Sequence, residues 1–294
     1  MNGQEQYARM QGARRAFGDG SRTLMIGQSP ILIEGLDRSR SAELGRRWGG
    51  FLRRTAPAPA SVTVRLFCGG PGVWLDEPRP GENYRVELVS AGAERLVSSY
   101  HFAIAAGPGP RAWSVAITDD PSEPLERILD NVLRFVVAHL AASSGGFALH
   151  AAGVLRDGRA YLFAGPSRAG KSTVLRLLGP ETSLGDDLAL VLPDGERWSA
   201  PALPFDNSER APAQPPPGLY PVAGIWRLYQ STTTRVERPA PDRAIASLVG
   251  CAAQPWTMPE LSQALLAQAG SYVARGGFHH LHFTRDAELW SVLV

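Results

Sequence analysis

Short β-prone runs, separated by turn-rich pieces, fill the first 118 residues. Apolar and β-branched residues cluster or alternate within each run, and glycine and proline pairs lie between the runs. The runs are Ile31–Ile33, Ser61–Phe67, Tyr84–Val89, Leu96–Ile104 and Trp113–Ile117. This pattern predicts a β-rich N-terminal region over residues 1–118, which could bind a substrate or a partner.

Helical periodicity replaces this pattern after Asp120. Asp120 is a candidate N-cap, and Pro121 suits the first helical position. Apolar side chains then recur at three- and four-residue steps and form one stripe, which consists of Leu125, Ile128, Leu129, Val132, Leu133, Val136 and Leu140. The stripe predicts an amphipathic helix that ends at residues 143–146.

Strand-like and helical patterns alternate in the rest of the chain. Phe147–Leu155 and Ala160–Ala164 predict a hairpin whose tight turn contains the Asp157-Gly158 pair. The later segments are a helix at Thr173–Leu178, strands at Leu184–Leu192 and Gly224–Tyr229, and a helix at Leu261–Ala274. Together they predict an α/β domain over residues 119–294.

Composition and charge narrow the class of protein. With 44% hydrophobic residues the chain can bury a core, and a net charge of +2 without a dense basic block argues against a nucleic-acid partner. Cys68 and Cys251 lie far apart without metal-ligand spacing, which favours a reducing compartment. Neither a secretory signal nor a membrane span is evident, so we expect a cytoplasmic protein; an oligomer is possible.

A glycine-rich loop follows the predicted hairpin and matches the pattern GxxxxGK[ST]. It consists of Gly165, Pro166, Ser167, Arg168, Ala169, Gly170, Lys171 and Ser172, and Thr173 continues into the next helix. In such loops backbone N–H groups surround nucleotide phosphates, the lysine reaches the β- and γ-phosphates, and the Ser hydroxyl contacts Mg²⁺. Lys171 is the only lysine in the chain. The loop predicts binding of ATP and Mg²⁺ but does not separate a kinase from an ATPase.

Two adjacent carboxylates, Asp186 and Asp187, follow the loop at the head of a strand-like run. One could hold Mg²⁺ while the other accepts a proton from an attacking hydroxyl. We favour Asp186 as the base and Asp187 as the metal ligand, although the order of the two roles stays open. The alternative is an ordinary solvated Gly-Asp-Asp turn.

His150 lies on the first predicted strand of the hairpin. On that strand it shares a face with Ala148, Ala152 and Val154, so a buried core histidine is one interpretation. A catalytic or phosphate-contacting role is the other, because the neighbouring strand leads into the loop and imidazole titrates near neutral pH.

Other polar groups are weaker candidates. Any of Arg168, Arg210 and Arg227 could neutralise a transferring phosphoryl group, although a surface role is the default for each. The histidines near the C-terminus alternate along a strand, which puts His280 and His282 on one face and His279 on the other. This spacing argues against a metal site there.

These features together resemble the catalytic domain of the HPr kinase/phosphorylase family over roughly residues 125–294. The matching positions are a histidine upstream of the loop (His150), the loop lysine (Lys171) and the paired aspartates (Asp186 and Asp187). The resemblance implies a phosphate-loop mixed sheet of the HPr kinase and phosphoenolpyruvate carboxykinase type. It also implies phosphoryl transfer to a serine hydroxyl with an aspartate as general base.

The chain departs from that family in one element. The expected Glu-x-Arg-Gly-x-Gly segment has no clear counterpart, and residues 221–228 are the nearest candidate. The chain is more similar to HPr-kinase-like tailoring kinases of lasso peptides, which implies a precursor-peptide serine as the acceptor. The alternatives are a small-molecule kinase, or an ATP-binding or ATPase switch that regulates a partner protein.

Overall fold

The computed structural model describes residues 1–53, 60–76, 85–91, 94–106, 111–119, 121–179, 183–205, 216–253, 259–286 and 288–293. Over these residues it is a mixed α/β protein with two mixed sheets and seven helices. It divides into two compact units, Met1–Leu133 and Arg134–Val294. No helix in the described part of the chain is both long enough and apolar enough to span a bilayer.

The first unit is built on an eight-stranded sheet with two helices. The helices are α1 (Gly3–Gly12) and α2 (Arg38–Trp48), and the strands are β1 (Gly20–Ile26), β2 (Ser29–Leu36), β3 (Leu52–Arg53), β4 (Val62–Cys68), β5 (Glu87–Ala91), β6 (Glu94–Ser98), β7 (Phe102–Ala106) and β8 (Ala112–Ile117). The strand order is β3-β1-β2-β4-β8-β7-β6-β5. The β-prone runs therefore fall on real strands, although Tyr84 lies outside the described residues.

Two features of this unit differ from the sequence prediction. The run Leu96–Ile104 is two antiparallel strands, because the chain turns at residues 99–101, where the Ser99 N–H donates to the Phe102 carbonyl at 2.9 Å. The helices α1 and α2 were not predicted. Each begins at a side-chain cap: Asn2 accepts from the Glu5 N–H, and Asp37 accepts from the Arg40 N–H.

A buried carboxylate joins two helical segments of this unit. Asp130 is 5% exposed and accepts from Arg47 Nη2 at 2.6 Å and from Trp48 Nε1 at 3.0 Å. Arg47 and Trp48 end α2, and Asp130 lies on α3 (Leu125–Ser143). Loss of the Asp130 carboxylate is costly, because Arg47 would lose a charge-assisted hydrogen bond and Trp48 a buried one.

Replacing Asp130 by alanine is expected to lower the free energy of unfolding by about 2–3 kcal/mol, because the indole N–H of Trp48 would remain buried without this acceptor. Urea denaturation measures the change. Glu34→Ala is the matched control, because Glu34 bonds Arg65 at 2.8 Å where both side chains are well exposed, and its loss should cost less than about 1 kcal/mol. Equal losses in the two variants would contradict the assignment.

The boundary between the units falls inside α3, which carries the predicted apolar stripe. Six of its positions are buried (Leu125, Ile128, Leu129, Val132, Leu133 and Val136), and Leu140 is half-buried. The helix begins at Leu125. Asp120, the candidate N-cap, lies outside the described residues.

The second unit contains a nine-stranded sheet and the remaining helices. Its strands are β9 (Phe147–Leu149), β10 (Ala151–Arg156), β11 (Arg159–Ala164), β12 (Ser183–Gly185), β13 (Ala189–Asp194), β14 (Arg197–Pro201), β15 (Leu219–Gln230), β16 (Arg235–Glu237) and β17 (Phe278–Phe283). Its helices after α3 are α4 (Lys171–Leu178), α5 (Pro241–Val249), α6 (Pro259–Ala274) and α7 (Trp290–Leu293). The order is β12-β10-β11-β15-β14-β13-β9, with β17 pairing to β15 and β16.

The predicted hairpin is confirmed at β10 and β11. The turn residues Asp157 and Gly158 have φ angles of 50° and 72°, which is the left-handed pair that a tight hairpin turn requires. Two predicted strands, the first strand of this hairpin and the later strand, are wrong in one respect. Phe147–Leu155 is interrupted at His150, and Leu184–Leu192 is interrupted at residues 186–188, because each half pairs with a different strand.

Candidate functional site

The ends of four strands of the second unit bring the candidate residues to one edge of the sheet. The strand β10 is antiparallel to β11 and to β12, with Ala151 opposite Ala164 and Gly153 opposite Gly185. The strand β15 runs parallel to β11, with Arg227 opposite Ala164. The start of β10 and the ends of β11 and β12 therefore meet, and His150, the glycine-rich loop and the aspartate pair lie there.

His150 occupies the single residue between β9 and β10. Its N–H donates to the Cys251 carbonyl at 2.7 Å, and its carbonyl accepts from the Gly165 N–H at 3.0 Å. The side chain is exposed, whereas Ala148, Ala152 and Val154 are buried. The interpretation of His150 as a core histidine is therefore wrong. The strand is interrupted at this residue, so its side chain does not share the buried face of Ala148, Ala152 and Val154.

The glycine-rich loop, residues 165–172, leaves β11 and enters α4. Gly170 has a φ of 104°, and a Cβ there would lie 2.7 Å from Cζ of Phe283, so only glycine fits. A Cβ on Gly165 would lie 2.6 Å from Cβ of Ala169. Arg168 has a left-handed φ of 68°, and its carbonyl accepts from Gln230 Nε2 at 2.9 Å. Non-glycine residues in this region carry strain and cluster at functional sites.

Lys171 points back across this loop. Its Nζ donates to the carbonyls of Gly165 at 3.0 Å and Pro166 at 3.2 Å. Lys171 begins α4, and the N-cap Gly170 makes no side-chain capping bond. The first N–H groups of a helix have no intrahelical acceptors, and the positive end of the helix dipole lies there. The ammonium group of Lys171 and the N–H groups at the start of α4 are therefore both donors beside the glycine-rich loop.

An ion pair holds one member of the aspartate pair. Arg134 Nη1 donates to Asp187 Oδ2 at 2.7 Å, and the two side chains are 20% and 34% exposed. Arg134 lies on α3 and Asp187 is the second residue after β12, so the helix fixes the position of the carboxylate. Asp186 is half-buried beside it. Arg134 was not among the sequence candidates; its signal was a charged residue within an otherwise apolar stretch of helix.

The charges at this edge act on His150. Burial lowers the pKa of His150 below its ordinary value, the Asp187 charge raises it, and the charges of Lys171 and Arg134 lower it further. The residue is exposed, and the protein atoms around its ring nevertheless partly desolvate it. The lowered pKa favours the neutral imidazole at pH 7, which can accept a proton.

An NMR titration of the His150 ring tests this arrangement. The midpoint in the wild-type protein is expected to lie below 6.5, the ordinary value for histidine. Asp187→Asn should lower the midpoint again, because it removes the charge that raises the pKa. The His150→Gln spectrum assigns the resonance. A midpoint above 6.5, or an increase in the Asp187→Asn variant, would contradict the geometry.

The candidate arginines have different surroundings. Arg227 Nη1 donates to the Ser247 carbonyl at 3.1 Å and to Cys251 Sγ at 2.7 Å, so this nitrogen supports the end of α5. Cys251 is a free, buried thiol, and burial raises its pKa while Arg227 and Lys171 lower it. Arg168 is exposed in the loop, and Arg210 lies outside the described residues.

The C-terminal histidines follow the predicted alternation along β17. His279 stacks on Trp226, whereas His280 and His282 both contact the Tyr229 ring. Within the described ranges, no group of three or more His, Cys, Asp or Glu side chains could hold a metal ion. These histidines form aromatic contacts that stabilise the sheet.

Fold and site together define a mixed α/β protein whose second sheet carries, at one edge, a glycine-rich loop, a lysine and an aspartate–arginine pair. The family model described as SynChlorMet cassette protein ScmC matches residues 117–271, which is more than half of the chain. The chain therefore belongs to the ScmC family. The comparison with curated proteins gave no match.

This result corrects the expected family. The matching model is ScmC and not an HPr kinase model, so the assignment to HPr kinases and their lasso-peptide relatives is wrong. The glycine-rich loop, His150 and the aspartate pair are real features of the chain, but three such short motifs do not identify one family. The ScmC match includes all of these positions, together with Arg134, Arg227 and Cys251.

Proposed function

We propose that this protein is an ATP- and Mg²⁺-dependent phosphotransferase that transfers the γ-phosphoryl group to a serine hydroxyl of a peptide or small protein. The observation that carries the proposal is the convergence of Lys171, the start of α4 and the Arg134–Asp187 pair at one sheet edge. A phosphate-binding-loop fold is part of the proposal. Each of these groups has a role in phosphoryl transfer.

The nucleotide phosphates would bind within the glycine-rich loop. Lys171 Nζ, which bonds two loop carbonyls, would exchange them for β- and γ-phosphate oxygens. The backbone N–H groups of Lys171, Ser172 and Thr173 at the start of α4 would donate to the same phosphates. The close approach of the loop to Phe283 and the strained Arg168 preorganise this cradle.

The residues present fit Mg²⁺. Magnesium is bound in proteins through one or two carboxylates together with substrate phosphates and waters, so a cluster of three protein ligands is not needed. The exposed Ser172 hydroxyl and the Asp187 carboxylate would hold it. When bound, the ion neutralises charge that develops on the transferring phosphoryl group. Arg134, through its ion pair with Asp187, would hold the carboxylate in place for the ion.

Asp186 and His150 would have different roles in the transfer step. Asp186 lies beside Asp187 and would accept the proton of the attacking hydroxyl as general base. His150, neutral at pH 7, would contact the transferring phosphate or the base. Lys171 would compensate negative charge on the phosphates throughout.

A peptide acceptor is consistent with the exposure of the site. His150, Ser172 and the loop residues Pro166, Ser167 and Arg168 are all exposed, so a hydroxyl on an extended chain can approach. A site that acted on a small molecule alone would gain from enclosure, because exclusion of water protects the phosphoryl group from hydrolysis. We therefore propose a peptide as the acceptor.

Mass spectrometry tests the function. The purified protein, incubated with ATP, Mg²⁺ and a peptide encoded beside its gene, is expected to add about 80 Da to that peptide, the mass of one phosphoryl group. A Ser→Ala version of the peptide at the modified position should stay unmodified. Phosphate release without peptide modification would contradict the kinase and indicate an ATPase switch, and neither product would contradict both.

A further inference from the structure

A second concave site lies in the second unit, away from the glycine-rich loop. It has a volume of about 470 Å³, which is within the range of small-molecule pockets. The lining residues are Arg159, Arg197, Trp198, Pro221, Val222, Ala223, Tyr272, Arg275 and Gly277. No role in the proposed phosphoryl transfer involves any of them.

The position of this cavity follows from the topology of β15. Residues 219–221 pair with β14, residues 222–227 pair with β11, and residues 225–230 pair with β17. The strand thus changes partners over a few residues, and the cavity lies at this change. Arg159 starts β11 and Gly277 directly precedes β17, so the cavity lies where these parallel strands begin. The glycine-rich loop lies where β11 ends, roughly 17 Å away at about 3.3 Å per residue.

Three exposed guanidinium groups converge on the cavity. Arg159, Arg197 and Arg275 line it, and no carboxylate is among the lining residues. In the part of the chain that the structure describes, Arg275 Nη1 donates to the backbone carbonyl of Glu196, and none of the three forms an ion pair. Guanidinium groups recognise carboxylate, sulfonate and phosphate oxygens through paired hydrogen bonds. The rim of the cavity is therefore suited to an anion.

The wall of the cavity is aromatic. Trp198 and Tyr272 pack edge to face with ring centroids 5.7 Å apart, and both contact Phe147. The Tyr272 hydroxyl donates to the Gly277 carbonyl at 3.0 Å, and burial raises its pKa, so it brings no negative charge to the cavity. Its ring is 3% exposed and mainly supports Trp198. Rings fixed by such contacts form a preorganised apolar surface for a flat group.

We infer that this cavity binds a small organic anion with a planar apolar part and at least two negative charges. The planar part would lie against Trp198, and the charged groups would accept from Arg159, Arg197 and Arg275. The site is separate from the glycine-rich loop, so the inference does not depend on the proposed phosphoryl transfer.

Calorimetric titration with naphthalene-2,6-disulfonate at low salt tests the site. The variant with Arg159, Arg197 and Arg275 all changed to Gln is expected to bind about thirtyfold more weakly. The matched control changes Arg235, Arg243 and Arg285 to Gln, which removes the same charge from other exposed positions, and it should keep most of the affinity. Thermal melting of both variants reports folding, and Lys replacements at the three cavity positions provide a charge-conserving second variant with intermediate affinity.

Three results decide the inference. Equal weakening in the two triple-Gln variants would overturn it, because binding would then follow net charge alone. Inorganic sulfate should bind at least about tenfold more weakly than the disulfonate. Equal affinity would overturn the inference that the cavity recognises a planar apolar group. Lys171→Gln should bind the disulfonate like the wild type, whereas lost binding would place the probe in the glycine-rich loop and also overturn the inference.

Discussion

Replacing Lys171 by arginine is expected to reduce phosphoryl transfer about 10³-fold, with the fold intact. The ammonium group bonds two loop carbonyls, Gly165 and Pro166, at 3.0 and 3.2 Å, which a compact cation with three donors can do. A guanidinium is planar and larger, and it cannot take the place of that ammonium when the loop carbonyls are exchanged for β- and γ-phosphate oxygens. Initial rates of peptide phosphorylation measure the effect.

The control for this variant is Arg176→Lys, five residues further along α4 at an exposed position. It makes the reverse exchange of the same two residue types and should leave the rate within about twofold of wild type. Thermal melting of both variants separates folding from catalysis. A Lys171→Arg protein that transfers phosphate at near-normal rate would refute the proposed role of the loop.

Replacing Asp187 by asparagine should lower the transfer rate about 10²-fold and raise the Mg²⁺ concentration needed for half-maximal rate. The carboxylate would hold the metal, and Arg134 orients it through the 2.7 Å ion pair. Because Arg134 acts through Asp187, Arg134→Gln should cost less alone and add little to Asp187→Asn in the double variant. Magnesium titrations of the initial rate measure all three.

The same titrations separate the two aspartates. Asp186→Asn should lose activity that excess Mg²⁺ does not restore, because the variant removes the proposed general base and not the proposed metal ligand. Asp194→Asn is the control, since this exposed aspartate accepts from Ser199 at 2.9 Å at the end of β13. Recovery of Asp186→Asn at high Mg²⁺, without recovery of Asp187→Asn, would exchange the two roles.

Local signals in the sequence predicted the parts of the site that depend on local structure. The Asp157-Gly158 turn, the strand before the loop and the helix after it follow from residue types within a few positions. The apolar stripe of α3 follows from its period. In each case the physical cause, such as a left-handed φ or one buried helix face, acts within a single element.

Pairing between distant strands determined the rest. The strand is interrupted at His150 because β9 pairs with β13 while β10 pairs with β11 and β12. No residue type near His150 predicts this change of partner. The ion pair of Arg134 and Asp187 joins residues 53 positions apart. An arginine within an apolar helix was the available signal, since a charge half-buried there needs a partner.

The contact between Gly170 and Phe283 has a consequence for biosynthesis. The loop is translated more than a hundred residues before the phenylalanine ring that lies against it, and that ring is held by parallel pairing of β17 to β15. A nascent chain that has emerged only through α4 therefore lacks one wall of its own loop. Ribosome-bound chains should acquire the proposed nucleotide affinity only after residue 283 has left the exit tunnel.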